Sequence, residues 1–109
     1  MQTIGAFKLR NNGGFVCAGK VQYIDSNGGV QLSDRWSWIP LGQSEMMNPS
    51  EKSVANGSII QMYIDIQAGN DRTGGTYFLY DSSSAQYAEY DITGTTLNSD
   101  VHFDGIKSS

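Results

Sequence analysis

Apolar and polar residues alternate with a period of two along most of the chain. The pattern is clearest over residues 58–67, where Ile60, Met62, Ile64 and Ile66 share one face and Gln61, Tyr63, Asp65 and Gln67 share the other. Successive side chains of an extended strand point to opposite sides, so this is the signature of a strand packed on one face. Residues 3–10 read the same way, with Phe7 and Leu9 set against Lys8 and Arg10. So do residues 14–25, where Val21 and Tyr23 alternate with Gln22, and residues 86–93, where Ala88, Tyr90 and Ile92 alternate with Tyr87, Glu89 and Asp91. Residues 76–81 and 86–93 are expected to form a hairpin across the serine turn, and residues 96–103 to close the chain with Leu97, Val101 and Phe103 inward.

Turn-forming clusters separate these runs: Asn11-Asn12-Gly13-Gly14, residues 25–29, Asn56-Gly57, residues 68–71, Gly74-Gly75, residues 81–84 and Thr93-Gly94. Their residues tolerate positive φ or form Asx turns. No window sustains the i, i+3, i+4, i+7 spacing of an amphipathic helix. The expected fold is therefore all-β: an antiparallel β-sandwich of seven to eight strands in one domain over residues 1–109, with a closed barrel as the alternative. Residues 31–53 break the rhythm, holding Trp36, Trp38, Pro40, Pro49, Met46 and Met47. Residues 35–39 and 45–47 read as short strands within it, and the remainder as loop.

Composition narrows the function. Charged residues make up 17% of the 109 positions and 13 are glycine, as suits short strands joined by tight turns. The net charge is −4, and the seven basic residues are scattered, so nucleic acid is an unexpected partner. Cys17 is the only cysteine, which rules out an intramolecular disulfide, and it lies in an apolar run that reads as core. The N-terminal residues do not form a signal peptide and no apolar stretch has the length of a spanning helix. A cytoplasmic location is expected, with release without a signal peptide as the alternative.

The chain resembles small fungal and bacterial β-sandwich proteins related to the nematode PUD family and, more distantly, the aegerolysins. The resemblance rests on Asn56-Gly57-Ser58, residues 68–71, the aromatic strand Tyr77-Phe78-Leu79-Tyr80-Asp81, and Tyr90-Asp91-Ile92-Thr93-Gly94-Thr95-Thr96-Leu97-Asn98. In the first half Phe15-Val16, Val21-Gln22-Tyr23 and Leu41-Gly42-Gln43-Ser44 look similar too. It implies a compact, self-associating sandwich without a catalytic site, and lipid binding at the aegerolysin distance.

Catalysis finds little support in the residues. His102 is the sole histidine and, on strand parity, faces solvent, and no G-x-S-x-G elbow is present. A zinc site built on several imidazoles is excluded, and the loop from Asp25 lacks the carboxylate an EF-hand needs at its twelfth position, which is Trp36. No cofactor or metal is expected. The most informative segment is Asp34-Arg35-Trp36-Ser37-Trp38: on an extended strand the two tryptophans share a face, either as core or as an apolar platform beside an Asp and an Arg. The leading expectation is a non-enzymatic, lectin-type glycan-binding domain using Asp34, Arg35, Trp36 and Trp38 with the loop Asn70, Asp71, Arg72 and Thr73. The alternatives are an aegerolysin-like lipid- or membrane-binding protein, and a homo-oligomeric interaction subunit.

Overall fold

The computed structural model describes all 109 residues as two facing β-sheets. There are nine strands: β1 Thr3–Ile4, β2 Ala6–Asn11, β3 Cys17–Ile24, β4 Val30–Leu32, β5 Ser44–Met47, β6 Ile59–Ile66, β7 Arg72–Tyr80, β8 Gln86–Gly94 and β9 Ser99–Ser108. One sheet has the order β1-β7-β6-β3-β4 and the other β5-β2-β8-β9, so the sandwich is open and the barrel alternative falls away. The sheets are mixed rather than purely antiparallel, because β1 runs parallel to β7 and β2 parallel to β8.

The alternation places the core where the sequence suggests. Phe7, Leu9, Val21, Ile60, Met62, Ile64, Ile66, Phe78, Ala88, Tyr90 and Ile92 all face between the sheets and are buried, as is Cys17. Phe7 stands edge-on to Phe78, ring centroids 5.9 Å apart, which locks β2 of one sheet against β7 of the other.

Several expectations are corrected. Residues 3–10 are not one strand: the chain changes sheets at Gly5, whose N–H bonds the Gln86 carbonyl. A Cβ there would sit 2.2 Å from the Ser84 carbonyl oxygen, so only glycine allows the crossing. The hairpin expected between residues 76–81 and 86–93 does not form either. β7 pairs with β6 and β1, β8 pairs with β2 and β9, and residues 81–85 carry the chain from one sheet to the other. β7 instead forms its hairpin with β6, and β8 with β9. Residues 30–32, read largely as loop, form edge strand β4. Leu97 is not inward but 61% exposed at the β8–β9 turn, whereas Phe103 does face Tyr90 but is 48% exposed because β9 is an edge.

The stretch after β4 explains the misread tryptophans. Ser33 N–H bonds Val21 O, Trp36 N–H bonds Gly19 O and Ile39 N–H bonds Cys17 O. Three residues of this segment advance for every two of β3, so it is not the strand expected over residues 35–39. The period of three sends Ser33, Trp36 and Ile39 inward, and all three are buried. Trp36 and Trp38, two apart, therefore cannot share a face.

Candidate functional site

The first candidate is one end of the sandwich. Four segments meet there: residues 11–16, 39–43, 67–70 and 94–98. Three of them contain tight turns. Gln43 N–H bonds Pro40 O around Leu41-Gly42, with Gly42 at φ 85°, as a type II turn requires at its third position. Gly69 N–H bonds Ile66 O around Gln67-Ala68, and Thr95 and Asn98 exchange both backbone hydrogen bonds around Thr96-Leu97. Backbone bonds tie the turns together: Gly42 N–H to Asn11 O, Gly14 N–H to Gly94 O, and Asn70 N–H to Thr96 O. The Asn11 side chain, fully buried, anchors the assembly by donating to Phe15 O at 2.6 Å and Ile39 O at 2.8 Å while accepting from Gly13 N–H at 2.9 Å.

The chemistry of this end is distinctive. None of residues 11–16, 39–43, 67–70 and 94–98 is charged. Two turns carry leucine at the apex, Leu41 at 64% exposure and Leu97 at 61%. Turn apices ordinarily carry Gly, Asn, Asp or Ser, which water solvates at no cost. By strand order the two leucines stand roughly 12 Å apart, two to three strand spacings across the second sheet.

The second candidate is an open cleft of about 520 Å³ on the β3 side, lined by Lys20, Asp34, Arg35, Trp36, Lys52 and Asp65, with Ser33 and Ser37. Its cations lie against aromatic rings: Arg35 is 4.4 Å from the centroid of Trp38, Lys52 is 5.4 Å from Trp36, and Lys20 is 5.9 Å from Tyr63. Trp36 is buried, and its indole N–H donates to Glu51 Oε1 at 3.2 Å. Burial, and then the neighbouring Asp71 carboxylate, raise the Asp65 carboxyl above the usual carboxylate range. Asp71 accepts the Tyr63 hydroxyl at 2.6 Å, and that bond helps push the phenol up to about 12.

The expected site residues are thus divided. Asp34 and Arg35 line the cleft, Trp36 is its buried floor, and Trp38 is half-buried with Arg35 over one ring face. The co-facing pair of tryptophans on which a sugar would stack is not formed. The second group separates as well. Asn70 joins the uncharged end, Asp71 turns to Tyr63, Arg72 donates to Ser99 Oγ of the opposite sheet at 2.8 Å, and Thr73 pairs with Tyr63 on the outer face. Arg72 and Thr73 belong to β7 rather than to a loop. Lys20, Lys52 and Leu41 are not among the site residues expected from the sequence; for the leucine, the Pro-Leu-Gly turn is the signal that could have found it. His102 is exposed and pairs with Thr93 Oγ1 at 3.1 Å, and Asp25 caps an Asx turn by accepting from the Asn27 and Gly29 N–H groups.

No protein-family model matches the chain and no curated protein matches it. The PUD-like resemblance therefore stands on the quoted residues alone. Among solved structures the chain is similar to one described as a Gram-negative toxin, with 17% identity over 92% of this chain and a TM-score of 0.52. Listeriolysin O is similar at 17% identity, 96% coverage and a TM-score of 0.48, and the membrane-binding domain of pneumolysin at 13% identity, 96% coverage and a TM-score of 0.46. The chain spans 22% of the first two chains and 98% of the pneumolysin domain. At 17% identity the likeness to the Gram-negative toxin is one of fold alone.

Proposed function

We propose that this chain is a binding module for lipid surfaces that engages them through its uncharged loop end. The observation that carries this reading is the pair Leu41 and Leu97, exposed at the apices of two backbone-tied turns in segments that contain no charged residue. Moving a charged group into the interface is costly, whereas burying a leucine is favourable by about 1.5–3 kcal/mol. With 64% and 61% of their surface still exposed, the two leucines thus supply about 2–4 kcal/mol, enough for weak, reversible association. The backbone ties reduce the entropy lost on docking. With a net charge of −4 and no cation within the four segments, the preferred surface is zwitterionic rather than anionic.

Sedimentation with phosphatidylcholine vesicles tests this. The protein is expected to pellet with them, and less when phosphatidylserine is added. Replacing both Leu41 and Leu97 by Ser is expected to abolish pelleting while leaving the fold intact. A folded wild-type protein that ignores every vesicle, or a double variant that pellets as well as wild type, would refute the reading.

A further inference from the structure

We infer that the cleft between Lys20, Arg35 and Lys52 binds a singly charged phosphate diester, through a site separate from the uncharged loop end. Three of the chain's seven basic residues line this one cleft. None of the three has a carboxylate within 4 Å, the only ion pair at that range being Lys8 with Glu89, 3.8 Å apart on the opposite sheet. Each is instead held against a ring, which fixes its position, and Asp65 acts on Lys20 and Arg35 only from beyond 4 Å. Arg35 spends one donor on the Trp36 carbonyl at 3.2 Å, leaving most of its five for a ligand.

The charge balance selects the ligand. Among the residues that line the cleft, three cations less the two carboxylates Asp34 and Asp65 leave net +1, with Asp71 beside Asp65 and Glu51 behind the Trp36 indole. A diester, with one negative charge, matches that balance, and its two free oxygens suit a guanidinium fork. A doubly charged monoester would meet repulsion from the two carboxylates, which suit instead a hydroxyl or ammonium on the ligand's alcohol. A flat sugar is a poor fit, because Arg35 and Lys52 already lie over the rings it would stack on.

Lys20 lies three residues down β3 from Cys17, roughly 10 Å below the loop end. That is deeper than the roughly 5–7 Å headgroup layer of one leaflet, so a lipid phosphate reaches the cleft only when the module tilts its β3 side onto the surface. The diester can therefore come from a lipid headgroup or from a free molecule.

Both tryptophans of the chain touch the cleft's cations, so intrinsic fluorescence reads the site directly. Titration with glycerophosphocholine is expected to give a saturable change on the order of millimolar. Arg35→Gln and Lys52→Gln should each weaken it about tenfold, and Lys8→Gln should leave it unchanged. Choline chloride and glycerol, which lack the phosphate, should give no saturable change. The Leu41→Ser/Leu97→Ser variant should keep the response to glycerophosphocholine while losing vesicles, which separates this site from the loop end. A response seen only with phosphatidylcholine vesicles, and weakened by Arg35→Gln, would assign the source to the lipid headgroup. No saturable change with either probe, an equal response to choline, or undiminished affinity in Arg35→Gln would overturn the inference.

Discussion

Trp36 and Glu51 share a hydrogen bond that joins the irregular segment beside β3 to a single 3-10 turn. The indole N–H donates to Glu51 Oε1 at 3.2 Å, and the same oxygen accepts the backbone N–H of Asn48 at 3.2 Å, completing the capping box of the turn Pro49–Lys52. Glu51→Ala removes both bonds and is expected to cost about 1–2 kcal/mol, read by chemical denaturation. Glu51→Gln keeps an acceptor and is expected to cost less than half of that. Equal losses would show that the charge, and not the hydrogen bonding, matters.

Asn11 presents the opposite case, a polar side chain wholly inside. Replacing it with Ala strands the Phe15 carbonyl and the Gly13 N–H and leaves the Ile39 carbonyl only its bond from the Cys17 N–H. A loss of about 3 kcal/mol is expected from equilibrium unfolding. Hydrogen exchange should rise at residues 11–16 and 39–43 before it rises in β6.

Gly94 ends β8 with φ 102°, and a Cβ there would lie 2.2 Å from the Asn98 carbonyl oxygen. Gly94→Ala is expected to destabilise by about 2 kcal/mol or more and to distort the turn that presents Leu97. Vesicle binding measured well below the melting temperature should fall even where the variant remains folded.

Tyr90 is buried, and its hydroxyl has no hydrogen-bond partner. Burial pushes the phenol up to about 12. Its ordinary value is 10, so the unfolded chain releases this proton first. The stabilisation is complete below pH 10 and drains away as pH rises towards 12. Tyr90→Phe is expected to flatten that alkaline loss, measured by denaturation from pH 9 to 12, and to stabilise the protein by about 1 kcal/mol at neutral pH.

The sequence made the core legible but not the site. Ile60, Met62, Ile64 and Ile66 could be assigned because alternation depends only on neighbours two residues apart. Gly5 could not be read as a change of sheet, because its need for glycine arises from Ser84, which is distant in sequence. Trp36 and Trp38 were misread because strand parity assumes two residues for two, and their segment advances three. The charge-free loop end was invisible for a further reason. Its segments begin at residues 11, 39, 67 and 94, and each alone is an ordinary turn; only the order of strands gathers them.

The three-to-two pairing beside β3 has a consequence beyond the tryptophans. A sheet edge with a free, regular ladder invites a strand from another molecule and so the growth of aggregates. From Cys17 to Val21 that invitation is withdrawn: carbonyls of β3 are taken by the segment, whose own spacing no incoming strand can match. Only the three residues of β4 continue the sheet on that side, too few for a stable foreign strand. The stretch that looked least regular in the sequence thus closes this edge of the first sheet to an incoming strand.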